Sequence, residues 1–253
     1  MESFADLRER RALIIGGSGG IGRAVAAHLA AAGAGVLVHG RDERRVAATV
    51  AELRRIARDA DAIAGAAREL ARAEDIYPLL DELIPTEDDV PDILVVAFGP
   101  ILYAALEESS IGDHRDMLEL NYLLPLAAAG RILPGMVSRG YGRVILFGGT
   151  GTDHIRGART IPAYTAAKVA LGSYVRSQAM TLGGSGVTIN AISPDRVQTE
   201  YLTDNHVRRY APSMPEGRLI DPEEVAALAG FLVRPEAASI NGQVLTVDQG
   251  RRR

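Results

Sequence analysis

The sequence predicts an α/β protein: a doubly wound parallel sheet of about seven strands with helices on both faces. Three observations predict it. A short apolar run, 12–15, enters a turn in which five of the seven residues from Gly16 to Gly22 are glycine, and helical periodicity follows from Ala24 to Ala32. Short apolar runs then alternate with helical segments to the end of the chain. Finally, 253 residues suffice for one large α/β domain with a sizeable core. No repeat or linker divides residues 1–253, so a single domain is expected.

Composition narrows the functional classes. A net charge of −4 argues against a nucleic-acid partner, and the Arg251–Arg253 tail reads as a solvated end. The chain has no cysteine, which excludes disulfides and thiol chemistry. The opening residues, Met1 to Arg11, are charged and lack an apolar signal core. No apolar run reads as a bilayer span, so the expectation is a soluble, cytoplasmic protein with no membrane partner. The five histidines, His28, His39, His114, His154 and His206, show no metal-ligand spacing, and no metal is expected. Of 28 basic residues a single one is lysine, Lys168. A lone lysine suggests a task for a compact ammonium that tunes a neighbour's proton affinity.

The first strand, turn and helix form the arrangement that holds a dinucleotide pyrophosphate. Missing Cβ atoms let the backbone approach the phosphates, and the helix N-terminus offers free N–H groups and the positive end of its dipole. Gly16, Ser18, Gly19, Gly20, Ile21 and Gly22 make that cradle. The second strand, 35–39, ends in Gly40-Arg41-Asp42, and a helix is expected over 43–58. An acid at that strand end would bond the adenosine ribose of NAD; an arginine accommodates the 2′-phosphate of NADP. Arg41, with Arg23 and Arg44 as candidate helpers, therefore favours NADP(H) over NAD(H). The alternative is an arginine that caps a solvated loop.

Gly16, Gly20 and Gly22 read G-x-x-x-G-x-G. This spacing resembles the short-chain dehydrogenase/reductase family, and later motifs extend the resemblance over nearly the whole chain. It implies a Rossmann-type sheet. A bland third strand is expected within 60–70, with Glu69 as the nearest match to the acid that lies against the adenine. The fourth strand, from Pro91, ends at Gly99, where the family carries Asn-Asn-Ala-Gly; here only the glycine of Val96-Ala97-Phe98-Gly99 is kept. A long helix over about 113–136 contains Asn121. By its residues alone this asparagine could face solvent; the resemblance implies that it kinks the helix and holds a water for proton relay.

The fifth strand is 142–148, followed by a glycine-rich loop. Tyr164 and Lys168 lie four apart, on one face of the next helix, and match the family's Tyr-x-x-x-Lys pair. The sixth strand, 187–192, runs into Pro194-Asp195, where family members often have Pro-Gly. The resemblance assigns Pro194, Val197 and Thr199 to the cofactor, with Thr199 reaching the nicotinamide amide. Residues 196–218 lack a clean period and read as a substrate lid or a disordered loop. A last helix starts at Asp221 and a final strand covers 242–248.

The resemblance implies a ketoreductase, similar to 3-oxoacyl-ACP reductases, acting on a small-molecule carbonyl or alcohol. Hydride would pass from the nicotinamide while Tyr164 gives a proton to the oxygen. A free tyrosine has a pKa of roughly 10, which a nearby Lys168 ammonium would lower. Lys168 would also hold the nicotinamide ribose, and Asn121 would link the pair to water. The family's serine at the end of the fifth strand aligns with Gly149. Thr150 is the first candidate to replace it, Thr152 the second, and backbone N–H groups of 149–151 the third. Two other outcomes stay open: a non-catalytic NADP(H)-binding sensor or assembly partner, and a C=C reductase or dehydratase. A homodimer or homotetramer is expected through the helix bearing Ala167, Ala170, Leu171, Tyr174 and Val175.

Overall fold

The computed structural model describes residues 7–155 and 157–251. Residues 1–6 of the charged N-terminal stretch and 252–253 of the arginine tail lie outside the described residues. The strands are β1 (Arg11–Ile15), β2 (Gly35–Gly40), β3 (Ile63–Ala67), β4 (Ile93–Val96), β5 (Gly142–Phe147), β6 (Val187–Pro194) and β7 (Val244–Val247). They pair in parallel in the order β3-β2-β1-β4-β5-β6-β7. The connection reverses direction between β1 and β4, and ligands of such sheets bind outside the carboxyl ends of the strands at that point.

Both faces of the central strands are buried, which requires near-continuous apolar sequence. Alternate residues face opposite sides. Ile14, Val95 and Ile145 pack under helices α1 (Gly20–Ala31) and α8 (Pro222–Leu232), against Val25, Leu29, Val225 and Ala229. Leu13, Ile15, Leu94 and Leu146 face the other side. There they meet Ile76 and Leu80 of α3 (Ile76–Leu83), Leu124 and Ile132 of α5 (Leu124–Ser138), and Leu171 and Val175 of α6 (Pro162–Thr181). Each fully buried aliphatic side chain contributes roughly 1.5–3 kcal/mol. The α1–α8 contact is close because Gly230 leaves room for the His28 ring: a Cβ there would stand 2.2 Å from Nε2.

The elements least legible in the sequence are those with little buried surface. β3 is an edge strand in which Ile63 alone is buried, so it carries no apolar run. α2 (Glu43–Ile56) ends two residues before the expected Arg58. α7 (Asp204–Tyr210) lies within the proposed lid and has no buried residue, hence no periodicity to read; Thr203 caps it.

The long middle helix is continuous over Ile111–Ser138. It comprises α4 (Ile111–Leu118), a π-helical turn at Glu119–Leu123, and α5. The sequence reading found no run fit to span a bilayer; this helix is long and apolar enough to do so by length and composition alone. Its apolar face, including Leu124, Ala128, Ile132 and Met136, is packed in the core. The apolar surplus read on α6 is also largely used inside the monomer: Ala167, Leu171 and Val175 are buried, while Ala170 and Tyr174 remain partly exposed.

Asn190, buried in β6, fixes the approach to β7. Its Nδ2 donates to the Ile240 carbonyl at 2.8 Å, and its Oδ1 accepts from the Gln243 N–H at 3.0 Å. Asn190→Ala leaves both backbone groups without these partners and is expected to lower stability by about 2–4 kcal/mol. Urea denaturation with an unchanged m-value would measure it.

Candidate functional site

The glycine turn sits at the switch point between β1 and β4. Gly16 has φ of +80°, and a Cβ there would stand 2.6 Å from the Ala97 carbonyl oxygen. A Cβ on Gly22 would come within 2.2 Å of the Gly16 carbonyl. The turn therefore needs glycine both for its backbone angle and for its close approach to β4 and α1. Ser18 packs on Gly40, where a Cβ would meet its Oγ. The polar pair missing after β4 is not replaced in place: Ala97 N–H donates to the Ile15 carbonyl, and Phe98, partly buried, packs against the core and lines the cavity. The turn is tied instead through His39. Gly17 N–H donates to the His39 carbonyl at 2.8 Å, and Gly16 N–H donates to Nδ1 at 3.4 Å. Nε2 lies 2.9 Å from the Arg68 carbonyl, so the tautomer protonated on Nε2 satisfies both ring contacts. Burial lowers the ring's pKa and favours that neutral form. Sequence reasoning had left His39 without a task.

A cavity of about 1440 Å³ opens beside the turn, larger than the roughly 300–1,000 Å³ of common small-ligand sites. Gly16, Ser18, Gly19, Gly20, Ile21, Arg41, Glu69, Gly99 and Thr199 all line it. At the carboxyl ends of β2 and β3, Arg45, Arg68 and Arg72 stand on its wall together with Arg41. The expected helpers Arg23 and Arg44 do not line this wall; of the arginines that do, Arg45 pairs with Glu200 and Arg68 with Glu82. The Gly20 N–H donates to the carboxylate of Glu200 at 3.1 Å. Backbone donors there thus accept an anion, and the residues fit a dinucleotide's phosphates.

Beyond Gly99 the cavity gives way to Tyr164, Lys168 and Asn121. The π-turn carries Asn121 into the interior, a local widening common at functional positions. Its Nδ2 donates to the Pro100 carbonyl at 2.9 Å, while its buried Oδ1 has no hydrogen-bond partner among the described residues. A Cβ on Gly99 would stand 2.3 Å from that Oδ1 and 3.3 Å from Lys168 Nζ, which places Asn121 and Lys168 side by side at Gly99. Lys168 is buried, and its Nζ donates to the Phe147 carbonyl at 2.8 Å. Nζ also lies 5.8 Å from the Tyr164 ring centroid. Burial lowers the Lys168 pKa to about 7. Burial, with Tyr103 nearby, raises that of Tyr164. The lysine was expected to lower the tyrosine's pKa; in this structure burial raises it instead, which favours the protonated phenol.

Gly149 faces Tyr164 directly. A Cβ on Gly149 would stand 2.7 Å from both Oη and Cε1, so the ring occupies the space of the side chain that the resemblance would put there. The neighbouring threonines turn elsewhere. Thr150 Oγ1 donates to Asp195 Oδ1 at 3.1 Å, and Asp195 also pairs with Arg251 at 3.0 Å. Thr152 Oγ1 donates to the Gly149 carbonyl at 2.8 Å and accepts from the Gly149 N–H at 2.9 Å. The aspartate that replaces the usual glycine after Pro194 is thus what holds Thr150. Pro194 ends β6, and Val197 bridges to Ile220, closing the segment between them at its base.

A seven-stranded parallel sheet with a phosphate cradle at its switch point and a Tyr–Lys pair at the carboxyl end of β5 defines a nicotinamide-dinucleotide oxidoreductase fold. Residues 16–252 match the family model described as enoyl-(acyl carrier protein) reductase, and the chain belongs to the short-chain dehydrogenase/reductase family. It is 31% identical to the 3-oxoacyl-acyl-carrier-protein reductase FabG of Vibrio cholerae, over 97% of this chain and 98% of that one. It is 29% identical to the uncharacterized oxidoreductase YmfI of Bacillus subtilis, over 95% and 98%. Among solved structures, an actinorhodin polyketide ketoreductase variant with NADPH superposes with a TM-score of 0.86 at 26% identity, covering 95% of this chain and 96% of that one.

The Lys168 shift has a consequence for stability. Its folded pKa of about 7 lies below the ordinary 10.5, so between these values the unfolded chain binds a proton that the fold releases. Stability from this site therefore rises with pH across the window and is lowest below it. Lys168→Met is expected to flatten that part of the profile. Urea midpoints of both proteins from about pH 6.5 to 9.5 check the difference in slope.

Proposed function

We propose that the chain is an NADP(H)-dependent oxidoreductase that reduces a ketone on a small molecule to a secondary alcohol. The convergence of Tyr164, Lys168 and Asn121 beside Gly99, next to the cavity at the glycine turn, carries the reading. When bound, the nicotinamide supplies hydride to the carbonyl carbon. Tyr164 donates its hydroxyl proton to the carbonyl oxygen, and its raised pKa keeps it in the donating form at neutral pH. Lys168 holds the ribose hydroxyls and, when protonated, stabilises the phenolate left behind. The unpaired Asn121 Oδ1 accepts the water that returns the proton. Backbone N–H groups near Thr150 and Gly151, rather than a threonine hydroxyl, support the substrate oxygen. The relatives' ketoreductase names and the NADPH of the actinorhodin structure support the same reading.

One observation favours a second reading. No side-chain hydroxyl stands at Gly149, and loss of one oxyanion donor typically costs about 2.7–4 kcal/mol; a non-catalytic NADP(H)-binding sensor would not need it. Consumption of NADPH with a panel of ketones decides between enzyme and sensor. Identification of the product separates ketone reduction from C=C reduction and dehydration. A cytoplasmic homodimer or homotetramer belongs to the same proposal, and a monomer mass by light scattering at micromolar protein would remove that part.

Tyr164→Phe is expected to abolish NADPH turnover while leaving NADPH affinity within about twofold, since the proton donor alone is lost. Wild-type rates in that variant would end the mechanism. Arg41, Arg68 and Arg72 at the end of the cavity favour a 2′-phosphate, and one charge-assisted contact contributes roughly 1.5–3 kcal/mol, about ten- to a hundredfold in affinity. Arg41→Ala should weaken NADPH by that factor and leave NADH nearly unchanged, as read by fluorescence titration of both cofactors.

A further inference from the structure

The glycine cradle is already engaged by an anion from the chain itself. Both carboxylate oxygens of Glu200 lie 3.1 Å from the Gly20 N–H, in the first turn of α1. The same carboxylate pairs with Arg45 Nη2 at 2.5 Å. The Arg45 guanidinium in turn lies over the Tyr201 ring, 4.9 Å from its centroid. All three side chains crowd one point: a Cβ on Gly19 would stand 2.2 Å from Tyr201 Oη, 2.6 Å from Glu200 Oε1 and 2.7 Å from Arg45 Nη2. That point lies over the backbone that a dinucleotide's phosphates must approach.

Resting on the dinucleotide reading above, we infer that Glu200 is an internal competitor of the cofactor's pyrophosphate. A carboxylate and a phosphate oxygen are both anionic acceptors, and the Gly20 N–H and the Arg45 guanidinium that serve one are withdrawn from the other. Cofactor entry therefore exchanges Glu200 for phosphate on both donors and lifts Tyr201 from Gly19. The displaced residues belong to the lid. Their N-terminal side is anchored by the Val197–Ile220 bridge and the Gln198 N–H to Ile220 carbonyl bond, and their C-terminal side by the Thr203 cap of α7. Residues 199–202 between these anchors are the segment that moves, so cofactor binding and lid position are coupled through one carboxylate.

The test measures NADPH binding, not turnover. NADPH fluorescence titrations are run on the wild type, Glu200→Gln and Glu200→Ala, with a thermal melt of each to establish that it is folded. An exposed ion pair and a carboxylate at a helix N-terminus each contribute little, so the variants are expected to bind NADPH about three- to tenfold more tightly, alanine at least as tightly as glutamine. Stopped-flow traces should show a lid step that saturates with NADPH in the wild type and is faster in both variants. Unchanged or weaker binding in folded variants, beside a wild type that binds NADPH, overturns the competition and leaves the dinucleotide reading intact. A wild type that binds neither NADPH nor NADH overturns both.

Discussion

The constraint on which the rest depends is burial of the parallel sheet on both faces. Once helices cover each side, the strands carry mostly apolar residues, with each buried polar one tied into hydrogen bonds, and ligand-binding groups gather at their carboxyl ends. The glycine turn after β1, Arg41 after β2, Glu69 after β3, Gly99 after β4, Gly149 after β5 and Thr199 after β6 all fall there. The same constraint explains the close approach of Gly16 to the Ala97 carbonyl. Adjacent parallel strands run about 4.8 Å apart, and a turn leaving β1 at the switch point has no space for side chains against its neighbour.

Burial also governs the electrostatics of the Tyr–Lys pair. Removing water disfavours the charged form of both groups, raising the phenol and lowering the ammonium. Such a site holds its proton on tyrosine. A chain that spends its one lysine at a buried position, among 27 arginines, gains a cation whose charge responds to its surroundings near neutral pH. A guanidinium could not do so.

The surroundings of the cavity differ in charge. Arginines gather at the ends of β2 and β3 and backbone donors at the glycine turn, and the polar cluster of Asn121, Lys168 and Tyr164 lies beyond Gly99. Glu200 crosses this pattern by bringing a negative charge from the connection after β6 to the donors of α1. Asp195 does something similar on a smaller scale, drawing Thr150 and Arg251 together. Both acids belong to the connection after β6, so that connection shapes the charge balance around the glycine turn and β5.

The sequence by itself determined the layered architecture and most of the strands, because two-sided burial writes itself as continuous apolar runs and helical periodicity. It also determined the glycine turn and the four-residue spacing of Tyr164 and Lys168, since both are written in a few consecutive residues. It left β3 and α7 faint, because elements with little buried surface have no apolar pattern to display. Only the tertiary structure decided where side chains separated by tens of residues point. Thr150 turns to Asp195 rather than to Tyr164, His39 bridges the turn to Arg68, and Arg45, Arg68 and Arg72 join Arg41. Glu200 reaches Gly20 across 180 residues of chain. These outcomes rest on contacts between distant segments and on desolvation, and neither quantity exists until the chain has folded.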